Sequence, residues 1–182
     1  MDKLKQNVKL IPEDFVRLLY PYAKETQNKT GISLIAVLAQ AALESGWNKA
    51  SMGWMYFGVK DTDGLNGNEQ LLTTTEYSRR SDLKFPEIIS ITPVIRNGTK
   101  YFKYVVKDWF RKYNSPEECF TDHANFFLRN PRYKKALEVR HDPYLFITEV
   151  ANAGYATGPT YAQTLSSIAN RIENIIIKEN LK

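Results

Sequence analysis

Hydrophobic and polar positions follow a helical period in the first quarter of the chain. Apolar side chains recur on one stripe over residues 12–27, which predicts an amphipathic helix. A second helix is predicted from Ser33 to about residue 44, and between residues 32 and 43 only Ser33 and Gln40 are polar. A helix that is apolar on all sides is buried, and Gly46 directly after it is typical of a helix end. We therefore expect the second helix to lie in the core.

The period changes to that of β-strands in the middle of the chain. Residues 71–77, 88–95 and 100–106 are rich in β-branched and aromatic side chains, which favour strands. The dipeptide Asn97-Gly98 separates the last two runs, and this dipeptide between such runs is the strongest short signal for a hairpin. The sequence therefore predicts a small antiparallel β-lobe.

Helical patterns return after the β-rich stretch. Ser115 and Glu118 form a capping box around Pro116, which opens a helix predicted to end near residue 130. Further helices are predicted over residues 133–139, from Asp142, and from Gly158 onward. The expected fold class is α+β in a single domain of residues 1–182: a helical lobe (residues 10–60 and 108–180) with an inserted antiparallel β-hairpin lobe (about 68–107).

Composition narrows the class of protein. With 182 residues, 43% hydrophobic and 25% charged, the chain has the make-up of an ordinary globular domain. Its single cysteine excludes an internal disulfide, and its two histidines leave little room for a zinc site or a serine triad. We expect neither a metal nor an organic cofactor. No apolar run approaches the roughly 20 residues of a membrane span, so we expect no stable membrane insertion, and we expect a monomer.

Charge and the N-terminus bear on partners and location. The 25 basic and 20 acidic residues give a net charge of +5, which favours an acidic partner such as nucleic acid, an anionic membrane or an anionic cell wall. The basic residues are scattered along the chain, which argues against nucleic acid. The first five residues lack the apolar segment of a signal peptide, so none is expected in this sequence.

Glu44 is the first candidate for catalytic chemistry. It ends the almost entirely apolar second helix and lies three residues before Trp47. Burial disfavours a charged carboxylate, and the negative end of the helix dipole acts in the same direction, so both should raise the Glu44 pKa. A carboxylic acid that stays protonated near neutral pH is what general acid catalysis requires.

Glu76 is the second candidate carboxylate. It lies in the segment Thr74-Thr75-Glu76-Tyr77 of the predicted β-lobe. A helical acid that faces a second carboxylate across a cleft is the arrangement used for glycoside hydrolysis. The sequence therefore favours a glycosidase, although a solvent-facing strand residue is the simpler interpretation of Glu76 taken alone.

Tyr155 is the third candidate. Gly154 and Gly158 place it on a turn, where functional side chains concentrate, and Thr157 and Thr160 make its surroundings polar. A phenol offers an apolar face to a sugar ring and a hydroxyl that can hydrogen-bond an N-acetyl carbonyl or orient water.

Two weaker patterns favour structural roles. Cys119 and His123 share one helix face, but a nucleophilic pair usually comes from two different elements, so we interpret them as a core cysteine and an ordinary histidine. Residues 61–64 begin like a calcium loop, but Leu65 occupies a ligand position, so we interpret the segment as a turn.

Five segments, in the same order along residues 32–172, resemble the peptidoglycan glucosaminidases, glycoside hydrolase family seventy-three. They are Ala41-Ala42-Leu43-Glu44-Ser45-Gly46-Trp47, Tyr56-Phe57-Gly58-Val59-Lys60, Thr74-Thr75-Glu76-Tyr77, Phe110-Arg111-Lys112-Tyr113-Asn114-Ser115 and Gly154-Tyr155-Ala156-Thr157-Gly158-Pro159-Thr160-Tyr161. The resemblance implies a lysozyme-like α+β fold and hydrolysis of the β-1,4 bond after N-acetylglucosamine in peptidoglycan. It implies that Glu44 is the acid, that Glu76 is the second carboxylate and that Tyr155 lies in the sugar cleft. We expect five further aromatic residues to contact substrate: Trp47, Tyr56, Phe57, Tyr77 and Tyr161.

The mechanism and the function class each leave alternatives. Glu76 either activates water, which inverts the anomeric centre, or stabilises an oxazolinium formed by the substrate's own N-acetyl group, which retains it. The competing functions are a non-catalytic glycan-binding module, a lytic transglycosylase and a peptidase that uses Cys119 and His123. The expected place of action is the bacterial cell wall. Release by a phage, delivery by a secretion machine or trimming of the chain would each explain the missing signal peptide.

Overall fold

The computed structural model describes residues 4–156 and 158–182. The predictions that involve the first three residues and Thr157 fall outside this range. The described chain divides into two compact units. One, the helical unit, comprises the described residues up to Phe57 and from Tyr113 onward, and the other, the sheet unit, comprises Gly58–Lys112.

Six α-helices build the helical unit within the described residues. Their bounds are α1 (Pro12–Thr30), α2 (Leu34–Ser45), α3 (Pro116–Arg129), α4 (Lys134–Glu138), α5 (Pro143–Asn152) and α6 (Tyr161–Lys178). Short 3-10 turns cover Met52–Trp54 and Pro131–Tyr133. None of the helices in residues 4–156 and 158–182 is long and apolar enough to cross a membrane.

The buried helix predicted around residues 33–44 is confirmed as α2. Every residue from Ala36 to Ala42 is buried, and α2 packs against α1, α3, α5 and α6. The core cluster of the helical unit draws on all of these helices, with Phe15, Phe120 and Phe146 fully buried. Hydrophobic burial on this scale stabilises the unit and fixes where α2 ends.

Local capping signals confirm some predicted helix boundaries and correct another. Gly46 ends α2 in the left-handed conformation, and the Ser115 hydroxyl accepts a hydrogen bond from the Glu118 amide at the start of α3. Ser33 does precede α2, but its side chain makes no cap hydrogen bond. The Leu34 amide at the first position of α2 donates to the Gln27 side chain of α1 at 2.7 Å.

Three antiparallel strands build the sheet unit, β1 (Glu69–Ser78), β2 (Glu87–Arg96) and β3 (Thr99–Arg111), in the order β1-β3-β2. Asn97 and Gly98 both have positive φ between β2 and β3, so the predicted hairpin is confirmed. The central strand β3 runs four residues past the predicted end of the β-lobe at 107. It does so because the start of β1 continues the pairing, with Glu69 opposite Arg111.

The two faces of the sheet differ in burial. Side chains alternate across a strand, so Glu76 shares a face with its partner Tyr104 and with Val106. Tyr104, Val106 and Phe110 are buried on that face, whereas Tyr77 is 44% exposed on the opposite one. β2 is an edge strand with several exposed isoleucines. Glu76 therefore lies on the better-covered face of a thin sheet.

Candidate active site

Glu44 lies in the last turn of α2, one residue before the helix ends. The residue as a whole is exposed, but its carboxyl group is partly buried. Partial burial removes water from the carboxyl and raises the pKa of Glu44 above its ordinary value. Part of the sequence-based prediction is thus supported: the pKa moves in the expected direction, and burial is its cause. A carboxyl of this kind holds a proton at a higher pH than a free glutamate does and remains open to a ligand.

A strained turn follows Glu44 and fixes the end of α2. Gly46, Trp47 and Asn48 are consecutive residues with positive φ, a conformation that costs energy for residues other than glycine. The fully buried Asn48 locks the turn: its side-chain amide donates to the carbonyls of Lys5 and Val8 at 2.8 and 2.7 Å. The Asn48 amide N–H also donates to the Ser45 hydroxyl at 3.0 Å. This polar cluster, which sequence reasoning missed, holds the backbone next to Glu44.

Tyr155 and Tyr161 lie in the electrostatic environment of Glu44. Burial raises the pKa of both phenols, that of Tyr161 to about 12, and the Glu44 carboxylate adds to both shifts. The two rings are 5.8 Å apart between centroids. The side-chain amide of Gln40 donates to the Tyr161 hydroxyl at 3.4 Å. Tyr155 and Tyr161 therefore lie side by side within reach of the Glu44 charge, and both phenols are neutral at neutral pH.

Tyr155 has a buried partner that the sequence did not reveal. The Tyr155 hydroxyl lies 2.8 Å from Nε2 of His123 on α3. Burial lowers the pKa of His123 to about 3, so the imidazole is neutral at neutral pH. The two residues are 32 positions apart, and no spacing rule links them.

Phe57 and Trp47, which precede the sheet unit in the chain, make different contacts. Phe57 stacks on the His123 ring at 3.7 Å between centroids and so joins the Tyr155 group. Trp47 is half-buried and packs edge-on against Phe15, with 5.2 Å between ring centroids. Its expected contact with substrate stays a prediction.

Tyr56, which we expected to contact substrate, lies in the core. It is 1% exposed, its hydroxyl donates to Asn48 Oδ1 at 2.8 Å and its ring packs edge-on against Phe120. A side chain with so little exposure has no surface that a sugar ring could reach. The structure therefore places Tyr56 in the core, where it supports Asn48 and the turn after Glu44.

Cys119 does not form the pair with His123 that a cysteine peptidase would need. The thiol is fully buried and accepts a hydrogen bond from the Tyr56 amide at 3.4 Å. Burial raises the pKa of the Cys119 thiol to about 12, so it is not the thiolate that acts as a nucleophile. The interpretation of Cys119 as a core cysteine agrees with these contacts.

Glu76 lies in a compact ionic cluster within the sheet unit. Lys60 Nζ is 3.1 Å from Glu76 Oε1 and 2.6 Å from Asp108 Oδ2, and it lies 4.2 Å from the centre of the Phe110 ring. Burial by itself lowers the pKa of Lys60, but the hydrogen bonds to Asp108 and Glu76 outweigh it and leave the pKa raised. The Lys60 ammonium therefore bridges the side chains of Glu76 and Asp108.

The other expected residues of the sheet unit make structural contacts. The Arg96 guanidinium lies 4.3 Å from the Tyr77 ring centre, on the face of the sheet opposite Glu76. Asp63 accepts hydrogen bonds from the Leu65 amide and the Asn68 side chain, as in a turn. Among the described residues, no three His, Cys, Asp or Glu side chains converge to hold a metal ion.

Each unit thus contributes one kind of chemistry. The helical unit offers an open carboxyl with a raised pKa beside neutral phenols, which can donate protons and hydrogen bonds. The sheet unit offers an ion-paired carboxylate, which can accept a proton or stabilise positive charge. Two residues of the ionic cluster, Lys60 and Asp108, were not among the predicted site residues.

Known proteins match the chain over most of its length. The glucosaminidase family, described as mannosyl-glycoprotein endo-beta-N-acetylglucosaminidase, matches residues 20–174. The peptidoglycan hydrolase FlgJ of Vibrio parahaemolyticus is 31% identical over 170 residues, which are 90% of this chain and 48% of that protein. FlgJ of Pseudomonas aeruginosa is 30% identical over 168 residues, 88% of this chain and 37% of that protein. The chain therefore spans half or less of the length of these curated relatives.

A solved structure bears out the fold. The glycoside hydrolase domain of Salmonella typhimurium FlgJ superposes with a TM-score of 0.71 at 28% identity, and the match covers 94% of each chain. The α+β, lysozyme-like fold predicted from the sequence is confirmed by this likeness and by the observed elements. Because the family match extends over far more than half of the chain, this chain belongs to the glucosaminidase family of glycoside hydrolases.

Proposed function

We propose that this chain hydrolyses peptidoglycan as an endo-β-N-acetylglucosaminidase, cleaving the β-1,4 bond after N-acetylglucosamine. The observation that carries the proposal is the Glu44 carboxyl, whose pKa is raised by burial at the end of α2 beside two neutral tyrosines. Family membership and the names of the relatives, peptidoglycan hydrolases, support the substrate class. The place of action is then the bacterial cell wall.

Glu44 is the general acid in this proposal. Glycosidic bond cleavage leaves negative charge on the departing oxygen, and a protonated carboxyl in contact with that oxygen neutralises it as the bond breaks. A raised pKa keeps a larger fraction of Glu44 protonated near neutral pH than an ordinary glutamate would show. Activity should accordingly fall as pH rises through the Glu44 pKa.

Tyr155 positions substrate or water in this proposal. Its phenol stays protonated because burial raises its pKa, so it acts by hydrogen bonding and not as a base. Tyr161 and Phe57 extend the apolar surface beside it, which suits the flat face of a sugar ring.

Glu76 is the second carboxylate in this proposal. Its carboxylate, in contact with the Lys60 ammonium, either takes a proton from an attacking water or stabilises the positive charge of an oxazolinium. The two routes give opposite anomers, and the configuration of the product distinguishes them.

The test is hydrolysis of purified peptidoglycan by the wild-type chain and by Glu44→Gln. We expect release of soluble reducing sugar ends by the wild type and a loss of about 10²–10⁴-fold in Glu44→Gln, since general acid catalysis contributes that much. Glu138→Gln is the matched control, because Glu138 is an exposed glutamate that also ends a helix. A Glu44→Gln chain that keeps more than about a tenth of the activity would contradict the role of Glu44. A wild type that binds peptidoglycan without cleaving it would be a glycan-binding module.

A further inference from the structure

The His123 side chain is held in one orientation by aromatic rings. Phe57 lies nearly parallel to the imidazole, with 3.7 Å between centroids and 12° between planes. Phe127 meets it edge-on at 4.9 Å, and Phe126 lies nearly parallel at 6.3 Å. With 8% of its surface exposed, the imidazole has little freedom to turn. The ring nitrogens of His123 therefore keep fixed directions, so they can orient a hydrogen-bond partner.

That partner is the Tyr155 hydroxyl, 2.8 Å from Nε2. Tyr155 follows α5 on a turn and is only half-buried, so helix geometry does not hold it. Its ring also contacts Phe127 and Tyr133, at 5.6 and 6.4 Å between centroids. Ring contacts restrict the plane of the phenol, and the hydrogen bond to His123 sets the direction of the hydroxyl.

The protonation states make the bond directional. Burial lowers the pKa of His123 to about 3 and raises that of Tyr155, so both groups are neutral at neutral pH. Either the phenol donates to Nε2, or Nε2–H donates to the phenol oxygen. In both cases one side of the hydroxyl is committed to His123. The remaining hydrogen-bonding capacity of the hydroxyl then points away from the imidazole.

We propose that His123 is a positioning residue for the hydrolytic reaction: its hydrogen bond fixes the Tyr155 hydroxyl in the direction that the substrate requires. The inference rests on the proposed function of Tyr155 and extends it to a buried residue on another helix. Donors and acceptors that are oriented before the reaction contribute more to catalysis than those that must reorient during it. His123 itself touches neither the substrate nor the reacting atoms.

A double-mutant cycle on peptidoglycan hydrolysis tests this role. Tyr155→Phe removes the hydroxyl, and His123→Phe keeps an aromatic ring in the stack but removes the hydrogen bond. We expect each single variant to lower kcat by about 10- to 100-fold, the effect of losing one hydrogen bond to a charged or polarised group. The double variant should be no slower than Tyr155→Phe, because His123 acts only through that hydroxyl. Cys119→Ala, a core change on the same helix, is the control and should keep the wild-type kcat.

A conservative variant separates positioning from packing. Gln can hydrogen-bond Tyr155 but cannot stack on Phe57, whereas Phe does the reverse. We expect His123→Gln to keep most of the wild-type kcat and His123→Phe to keep little of it, whatever their melting temperatures. The opposite order would show a packing role and overturn the proposal. If only one of the two variants folds, its kcat decides the question in the same way.

The outcomes also distinguish this proposal from the proposed function. If Tyr155→Phe lowers kcat and His123→Phe does not, the role of His123 alone is overturned. The same conclusion follows if the kcat of the double variant is lower than that of Tyr155→Phe by the full factor that His123→Phe causes on its own. A normal Tyr155→Phe overturns the roles of both residues but leaves Glu44 as the acid. An active Glu44→Gln overturns the proposed function itself.

Discussion

The helical unit and the sheet unit position their candidate carboxylates by different physical means. Glu44 ends a helix whose residues Ala36–Ala42 are all buried, and a turn locked by Asn48 follows it. Glu76 lies on a three-stranded sheet whose described buried apolar side chains are Tyr104, Val106 and Phe110. In the sheet unit the Lys60 ammonium contacts both Glu76 and Asp108. These ionic contacts hold the Glu76 side chain in place, as packing holds the end of α2 in the helical unit.

This difference matches the chemistry assigned to each carboxylate. Desolvation favours the protonated form, so packing is the appropriate support for an acid. Glu76 is held instead by ionic contacts with Lys60, which also binds Asp108, so its position depends on charge and not on burial. Environment thus separates the roles of two chemically identical side chains, as in other enzymes with two catalytic carboxylates.

The largest expected effect is on turnover. Glu44→Gln should lower the rate of peptidoglycan hydrolysis by about 10²–10⁴-fold, and Glu76→Gln should lower it less if the substrate's N-acetyl group serves as the nucleophile. The measurement is kcat for both variants under identical conditions. An equal or greater loss in Glu76→Gln would instead assign Glu76 as the base that activates water.

Lys60→Met tests whether the ion pair positions Glu76. We expect a fall in kcat smaller than that of Glu76→Gln, because the carboxylate remains but loses its partner. The free energy of unfolding should change by less than about 1 kcal/mol, since the Lys60–Glu76 pair is partly exposed. Lys103→Met, next to Tyr104 on the opposite face of the sheet, is the control. Unchanged kcat in Lys60→Met would show that Glu76 needs no ionic support.

Two tyrosines allow a matched test of stability in the two units. Tyr56→Phe leaves the buried Asn48 Oδ1 without its donor and should lower the free energy of unfolding by about 1–3 kcal/mol. Tyr104→Phe removes a hydroxyl that donates to the Arg80 carbonyl in a part-buried site and should cost about 1 kcal/mol or less. Urea denaturation measures both. A larger loss for Tyr104→Phe than for Tyr56→Phe would contradict the prediction that the hydrogen bond to Asn48 contributes more to stability.

The smallest expected effect is the pH dependence of stability at Glu44. Its folded pKa is raised, so above the ordinary glutamate pKa the folded chain loses stability, either by desolvating a carboxylate or by taking up a proton. Glu44→Gln should therefore melt slightly above the wild type at pH 7. The difference should vanish below the ordinary glutamate pKa of about 4.3, where both states are protonated. Calorimetry at pH 7 and near pH 3 tests the sign, and a gain that persists in acid would contradict it.

Local features of the fold could be predicted because they depend on neighbours in sequence. The apolar run of α2, Gly46 after it, the Ser115 capping box and the Asn97-Gly98 hairpin all appear as expected. Ser33 does occupy the N-cap position of α2, but its side chain makes no cap hydrogen bond, and the Leu34 amide is satisfied by Gln27 of another helix. The end of β3 was misplaced because strand length depends on pairing with β1.

The supporting contacts of the site could not be predicted, since they join residues far apart in sequence. His123 meets Tyr155 across 32 positions, and Lys60 meets Asp108 across 48. We expected Tyr56 to bind substrate because it lies in a segment that resembles the family's site. The sequence alone does not show whether an aromatic residue in such a segment faces the core or a ligand. Its burial became clear only from the packing of Phe120 and Asn48 around it.

Identification of the sugar at the newly formed reducing end tests the central claim most directly. Peptidoglycan digested by the chain is reduced with borohydride, and the soluble fragments are identified by mass spectrometry. We predict that the wild type produces fragments ending in reduced N-acetylglucosamine and that Glu44→Gln produces none. Fragments ending in reduced N-acetylmuramic acid, or in a non-reducible anhydro-muramic acid from a lytic transglycosylase, would contradict the account.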